Sequence, residues 1–164
     1  MTEQELDLES FRLWPKGRTF EDFAVGQVFD HHWGRTITEA DNVLFTTTTL
    51  AYNPLYTNAE FARAHDHPGV VVNPLLVFTT VFGLSVEDLS EGGGPFLGVE
   101  ALTYHRPVYV GETLTARSEV MDLRESESRP NVGIVTWHTE GLVGDYLVLD
   151  YRRTNLVYKR GATR

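Results

Sequence analysis

The sequence predicts an α+β domain in which one antiparallel sheet wraps around a single apolar helix. Three features of the chain predict it. An apolar stretch, Leu75 to Leu84, follows Asn73-Pro74, a pair suited to the cap and first position of a helix. Beyond Phe96 the chain reads as long segments rich in β-branched and aromatic residues. The order of strand, helices and then several strands, without regular strand–helix alternation, favours an antiparallel sheet. The 164 residues are 41% hydrophobic and 12% aromatic, enough for one packed core with little room for two.

Residues 1–17 form a poorly patterned arm in which Phe11, Leu13 and Trp14 are the only anchors, and residues 18–160 form the domain. Gln27 to Thr36, rich in Val, Phe, His and Trp, reads as the first strand. Thr38 with Asp41 starts a helix that continues through Val43 and Leu44 to about Leu50. Pro54 then breaks regular structure, because it lacks an N–H and pushes Asn53 out of the helical region. Asn58 caps a short helix ending near Ala64, His65 to Gly69 is a turn, and Val70 to Val72 is briefly extended. After the central helix and the glycine-rich loop Ser90 to Gly94, four strands are expected: Phe96–Tyr104, Thr113–Leu123, Val132–Glu140 and Tyr146–Tyr158. Gly111-Glu112 and Gly144-Asp145 are the expected hairpin turns.

The composition limits what the chain does. A net charge of -9 disfavours general binding to nucleic acid, which needs basic surface against phosphate. No apolar run approaches the length of a membrane span, and the acidic, polar start does not resemble an export signal. The absence of cysteine excludes disulfides, thiolate nucleophiles and cysteine-held zinc, and fits a cytoplasmic location.

The stretch from Gly34 to Leu84, with Tyr104-His105-Arg106-Pro107-Val108-Tyr109-Val110-Gly111-Glu112-Thr113-Leu114, resembles the MaoC-like dehydratases, the (R)-specific enoyl-CoA hydratases of the hotdog superfamily. Thr36-Ile37-Thr38-Glu39-Ala40-Asp41-Asn42 leading to Asn53-Pro54-Leu55 looks most like the mesaconyl-CoA hydratase, or methylmalyl-CoA dehydratase, branch. The resemblance implies a single hotdog domain, with a long central helix wrapped by the sheet. It also implies pairing as a homodimer or an assembly of dimers, with an acyl-CoA or acyl-carrier thioester bound at the interface. Such a hydration requires no organic cofactor.

The family's signature is Gly-Asp-x-Asn-Pro-Leu-His, whose aspartate and histidine activate water for addition beside a thioester. Anchoring on Asn53-Pro54-Leu55 puts Ala51 in place of the aspartate and Tyr56 in place of the histidine. Where the family has His-Gly before the central helix, this chain has Asn73-Pro74, so the Leu75 N–H and the Asn73 side chain are the donors left for a thioester oxyanion. The resemblance therefore makes Tyr56, Asn53 and Asn73 the candidate catalytic residues, and Asn58, Leu75, Arg106 and His65 the candidate substrate contacts. Each also has an ordinary structural reading, as a packed tyrosine, a helix cap or a surface cation. His65-Asp66-His67 places three titratable groups on one turn and offers a relocated acid–base pair; no further ligand completes a metal site there. His31, His32 and His138 read as strand residues, and Glu87-Asp88 as solvated charges.

The expected activity is reversible hydration of a short or branched enoyl-CoA, or dehydration of the 3-hydroxyacyl-CoA, without the usual Asp/His dyad. Three alternatives remain open: another reaction on a thioester or small acid, such as isomerisation; a thioesterase, for which Leu75 to Leu84 supplies no carboxylate; and a non-catalytic partner subunit that binds acyl thioesters.

Overall fold

A computed structural model describes residues 16–162; the expected arm lies outside the described residues except for Lys16 and Gly17. The elements are β1 (Val28–Asp30), β2 (Arg35–Thr36), α1 (Glu39–Thr48), α2 (Ala59–Ala64), α3 (Pro74–Leu84), α4 (Val86–Leu89), β3 (Phe96–Tyr104), β4 (Thr113–Glu125), β5 (Val132–Val143) and β6 (Tyr146–Tyr158). Short 3₁₀ turns lie at Phe20–Asp22 and Pro54–Tyr56. The sheet is antiparallel, in the order β1-β4-β5-β6-β3, with β2 also paired to β4.

Local chemistry accounts for the helix boundaries. Thr38 and Asp41 form a reciprocal capping box on α1. The Asn58 side chain accepts from the Glu60 and Phe61 N–H groups at the start of α2. Asn73 caps α3 by accepting from Leu75 N–H, with Pro74 in the first turn.

The chain departs from the sequence expectation in three places. The first strand is two strands, because Asp30 and Arg35 are five positions apart while their partners on β4, Arg117 and Leu114, are three apart. The surplus forms a bulge. The Gly111-Glu112 turn joins β3 to β4, which are not neighbours, so it is not a hairpin. Gly144-Asp145 is one, joining the paired residues Val143 and Tyr146 with Gly144 at φ +56°. Asp88 is buried rather than solvated, since His31 turns inward and its Nδ1 lies 2.7 Å from Asp88 Oδ2. His31 Nε2 meets Ser118 Oγ at 2.9 Å, and Ser118 meets Thr139 at 2.8 Å.

The central helix lies against the sheet through Val77 and Val81, which cluster with Leu114, Ala116, Leu149 and Tyr151. A second cluster gathers Phe20, Phe23, Phe29, Leu89, Val120, Val135, Trp137 and Val157. Arg153 is wholly buried, donating to Asn155, Ser85 and Ser90 with its guanidinium 4.3 Å from the centre of the Phe82 ring; burial pushes its pKa down to about 10. Along α3, Leu75, Thr79 and Gly83 are exposed, so this otherwise apolar helix keeps an uncovered stripe. β3 forms one edge of the sheet, with Phe96 and Leu97 about half exposed.

Candidate active site

Four segments converge on a cavity of about 360 Å³ beside the N-terminal end of α3. Leu55 and Tyr56 come from the 3₁₀ turn, His67 from the turn after α2, Val71, Val72 and Pro74 from the helix approach, and Tyr104 to Val108 from the end of β3 and the segment after it. Most of the wall is apolar. Its titratable side chains are Tyr56, His67, Tyr104, His105 and Arg106, so no carboxylate lines it despite the chain's acidic balance.

One buried side chain ties two of these segments together. Asn42 of α1 is fully buried; its Nδ2 donates to Tyr56 O at 2.8 Å and to Val71 O at 3.0 Å, while its Oδ1 accepts from Asn73 N–H at 2.8 Å. Thr46, one turn along α1, accepts a longer bond of 3.3 Å from Asn73 Nδ2. The Tyr104–Val108 segment is attached to the helix approach, with Val72 N–H donating to Val108 O at 2.8 Å and Tyr104 Oη donating to Pro74 O at 2.9 Å. Burial, and then the neighbouring Tyr56, push the Tyr104 phenol above its ordinary pKa, so it stays a donor at neutral pH.

The cavity gathers two of the residues singled out in the sequence, Tyr56 and Arg106. Arg106 is held by Glu112, 3.2 Å away, and lies 5.6 Å from the centre of the Tyr146 ring. The other candidates lie off the cavity wall. Asn53 Oδ1 is committed to Leu55 N–H, and Asn58 Oδ1 to the start of α2; both face a separate cleft with Tyr52 and Thr57. Asn73 is buried behind the wall, and the Leu75 N–H expected to meet an oxyanion already donates to Asn73 Oδ1 at 3.0 Å. His65 stacks on Phe61 with centroids 4.1 Å apart, and its Nδ1 donates to Phe61 O. Ala51 does not line the cavity.

Of the His65-Asp66-His67 turn, only His67 reaches the wall. No hydrogen bond joins Asp66 to either histidine among the described residues, so the relocated pair does not form within the turn. Tyr104 and His105 also line the cavity, although the sequence marks them only as the end of a strand. The alternation of β3 would have placed them on one face or the other, but not beside Tyr56. His105 Nε2 is occupied by Asp150 at 2.9 Å.

A model of mesaconyl-CoA hydratase matches residues 5–164. The chain belongs to the mesaconyl-CoA hydratase family. The mesaconyl-CoA hydratase of Haloarcula marismortui is 43% identical over 148 residues, covering 88% of this chain and 41% of that protein. The crystal structure of a putative MaoC domain protein dehydratase from Chloroflexus aurantiacus superposes with a TM-score of 0.83 at 35% identity, over 90% of this chain and 42% of that one. A Mycobacterium tuberculosis protein described as having a double hotdog fold matches with a TM-score of 0.77 at 26% identity, over 90% of this chain and 46% of the other. This chain therefore has the hotdog fold and spans less than half the length of each of these relatives. Among its described residues, no helix is long and apolar enough to cross a membrane.

Proposed function

We propose that this chain is an acyl-thioester hydratase/dehydratase domain that takes a short or branched enoyl-CoA or 3-hydroxyacyl-CoA, or its acyl-carrier counterpart, into the Tyr56–Arg106 cavity. The observation that carries this reading is the cavity itself. In a chain of the mesaconyl-CoA hydratase family, a largely apolar space at the start of the central helix has Tyr56 on its wall, the residue we propose in place of the signature's histidine. The apolar wall suits an acyl chain, and the Tyr56 hydroxyl is a donor for the thioester carbonyl as charge develops there. Arg106 suits an anionic group at the same cavity. Asn53 and Asn73 act indirectly in this reading, through the backbone they fix.

Hydration of an enoyl thioester requires neither an organic cofactor nor a metal. The site is completed by a second hotdog domain, in a homodimer or an assembly of dimers. The open β3 edge, the uncovered stripe of α3 and the relatives' more than doubled length support that pairing. The lack of a carboxylate on the wall favours a second reading, a different reaction such as isomerisation or an acyl-thioester-binding subunit without turnover.

The test is an assay of the purified protein against short and dicarboxylic enoyl-CoA and 3-hydroxyacyl-CoA thioesters, followed by mass spectrometry, with Tyr56→Phe alongside. Water gained or lost by the wild type and at least about tenfold slower turnover in the variant, the scale of one lost hydrogen bond in a transition state, support the proposal. A folded, dimeric protein that turns over no thioester refutes it.

A further inference from the structure

We propose that His67 is the acid–base residue of the cavity, taking over proton transfer from the absent dyad; this rests on the thioester reading above. Three independent features of the fold present it. The first is the end of α2: Asp66 N–H bonds Arg63 O and His67 N–H bonds Ala62 O, the two bonds of a Schellman stop. This stop requires a left-handed residue, and Asp66 occupies it at φ +63° where glycine is the usual choice. The reversal brings His67, rather than His65, to the cavity wall.

The second feature is orientation. His67 Nδ1 lies 3.1 Å from Tyr109 Oη, and Tyr109 is itself fixed by the Val71–Tyr109 bridge and by its N–H donating to Glu112 Oε2 at 2.9 Å. A histidine held through one ring nitrogen by an anchored partner has the arrangement required of a general base. The third is availability. Nε2 of His67 has no hydrogen-bond partner among the described residues, whereas Nε2 of His105, the other imidazole on the wall, is taken by Asp150. His67 is therefore a half-buried imidazole with Nε2 free, whereas His105 is exposed and paired with a carboxylate.

The step balances with water alone. As a water oxygen bonds to the β-carbon, its proton passes to His67 Nε2 and the C=C electron pair moves onto the thioester as an enolate. The imidazolium then returns that proton to the α-carbon, leaving the 3-hydroxyacyl thioester and neutral His67.

The experiment compares wild type, His67→Gln and His67→Ala over a pH series on the best thioester of the panel. Binding of a saturated acyl-CoA is measured by calorimetry in parallel. A fall in kcat of about 10²- to 10⁴-fold in His67→Gln, with binding retained, is expected. So is loss of the acidic limb of the pH profile, and partial rescue of His67→Ala by added imidazole. Wild-type turnover that His67→Gln retains, or that falls only in step with binding, overturns the His67 role and leaves the hydratase reading standing. A wild type that binds the saturated thioester but turns over none overturns both.

Discussion

Replacing Asn42 with alanine tests whether one buried amide holds the cavity together. The substitution leaves the Asn73 N–H and the Tyr56 and Val71 carbonyls without the partner they have in the structure. An unsatisfied buried donor costs about 1–3 kcal/mol, and each orphaned carbonyl adds about 1 kcal/mol, so the expected loss is about 3–5 kcal/mol. For a chain of this size, with a urea slope near 2 kcal/mol/M, the unfolding midpoint falls by about 2 M. The assay is urea unfolding followed by tryptophan fluorescence, with thioester binding measured on the folded variant. Asn42→Asp sharpens it, because a carboxylate still accepts from Asn73 but faces two carbonyl oxygens with no hydrogen to offer. A loss under about 1 kcal/mol in Asn42→Ala, with binding intact, would refute the reasoning: the cavity walls would then be held by their own packing.

Two further outcomes follow from buried contacts. Burial keeps His31 neutral against the opposing pull of Asp88, so its pKa lies below the ordinary value. The unfolded chain then binds this proton more readily, and stability falls as pH drops below about 6.5, down to the folded-state pKa. Melting temperatures at pH 7.5 and 5.5 should show a larger drop in wild type than in His31→Gln; equal drops would exclude the effect. At Gly141, an added Cβ would lie 2.6 Å from Val81 Cγ2 and 3.3 Å from Leu149 Cγ, where the central helix meets β5. Gly141→Ala should cost about 1–3 kcal/mol in urea unfolding, and Val81→Ala should recover part of it if the clash is the cause.

The helices were legible because their boundaries are set locally. Thr38, Asn58 and Asn73 each cap the helix they precede, and capping depends on residues within one turn. The strands β3 and β6 were legible for a similar reason, their β-branched and aromatic runs bounded by turn residues. Pairing was not legible. Gly111-Glu112 has the chemistry of a hairpin turn, but which strands lie side by side is a tertiary result, and β3 pairs with β6 instead. The same limit hid the buried state of Asp88, whose partner His31 is 57 residues away. In the cavity, the sequence located the Tyr56 turn and Arg106 through the family resemblance, but not Tyr104 beside Tyr56. It marked the whole His65–His67 turn, and only the reversal at Asp66 selects between the two histidines.

The way the cavity is held explains how its chemistry can change while its shape persists. At Ala51 and Tyr56, the residues proposed to stand in place of the family's dyad, the hydrogen bonds run through the backbone: Ala51 N–H to Thr46 O, Tyr56 N–H to Asn53 O, and Tyr56 O to the Asn42 amide. None of these requires an aspartate at 51 or a histidine at 56. The side chains that do the holding, Asn42, Asn53 and Asn73, each accept from a main-chain N–H through Oδ1 and are buried or committed as caps. Substitution at 56 therefore changes a group on the cavity wall without removing these bonds, whereas substitution at 42 removes the bonds that hold the wall. Retained cavity shape is thus weak evidence for a retained mechanism. The proton-transfer group has to be sought among the side chains that line the wall and have a nitrogen or oxygen to spare, which is the reason for turning to His67 rather than to the family's own positions.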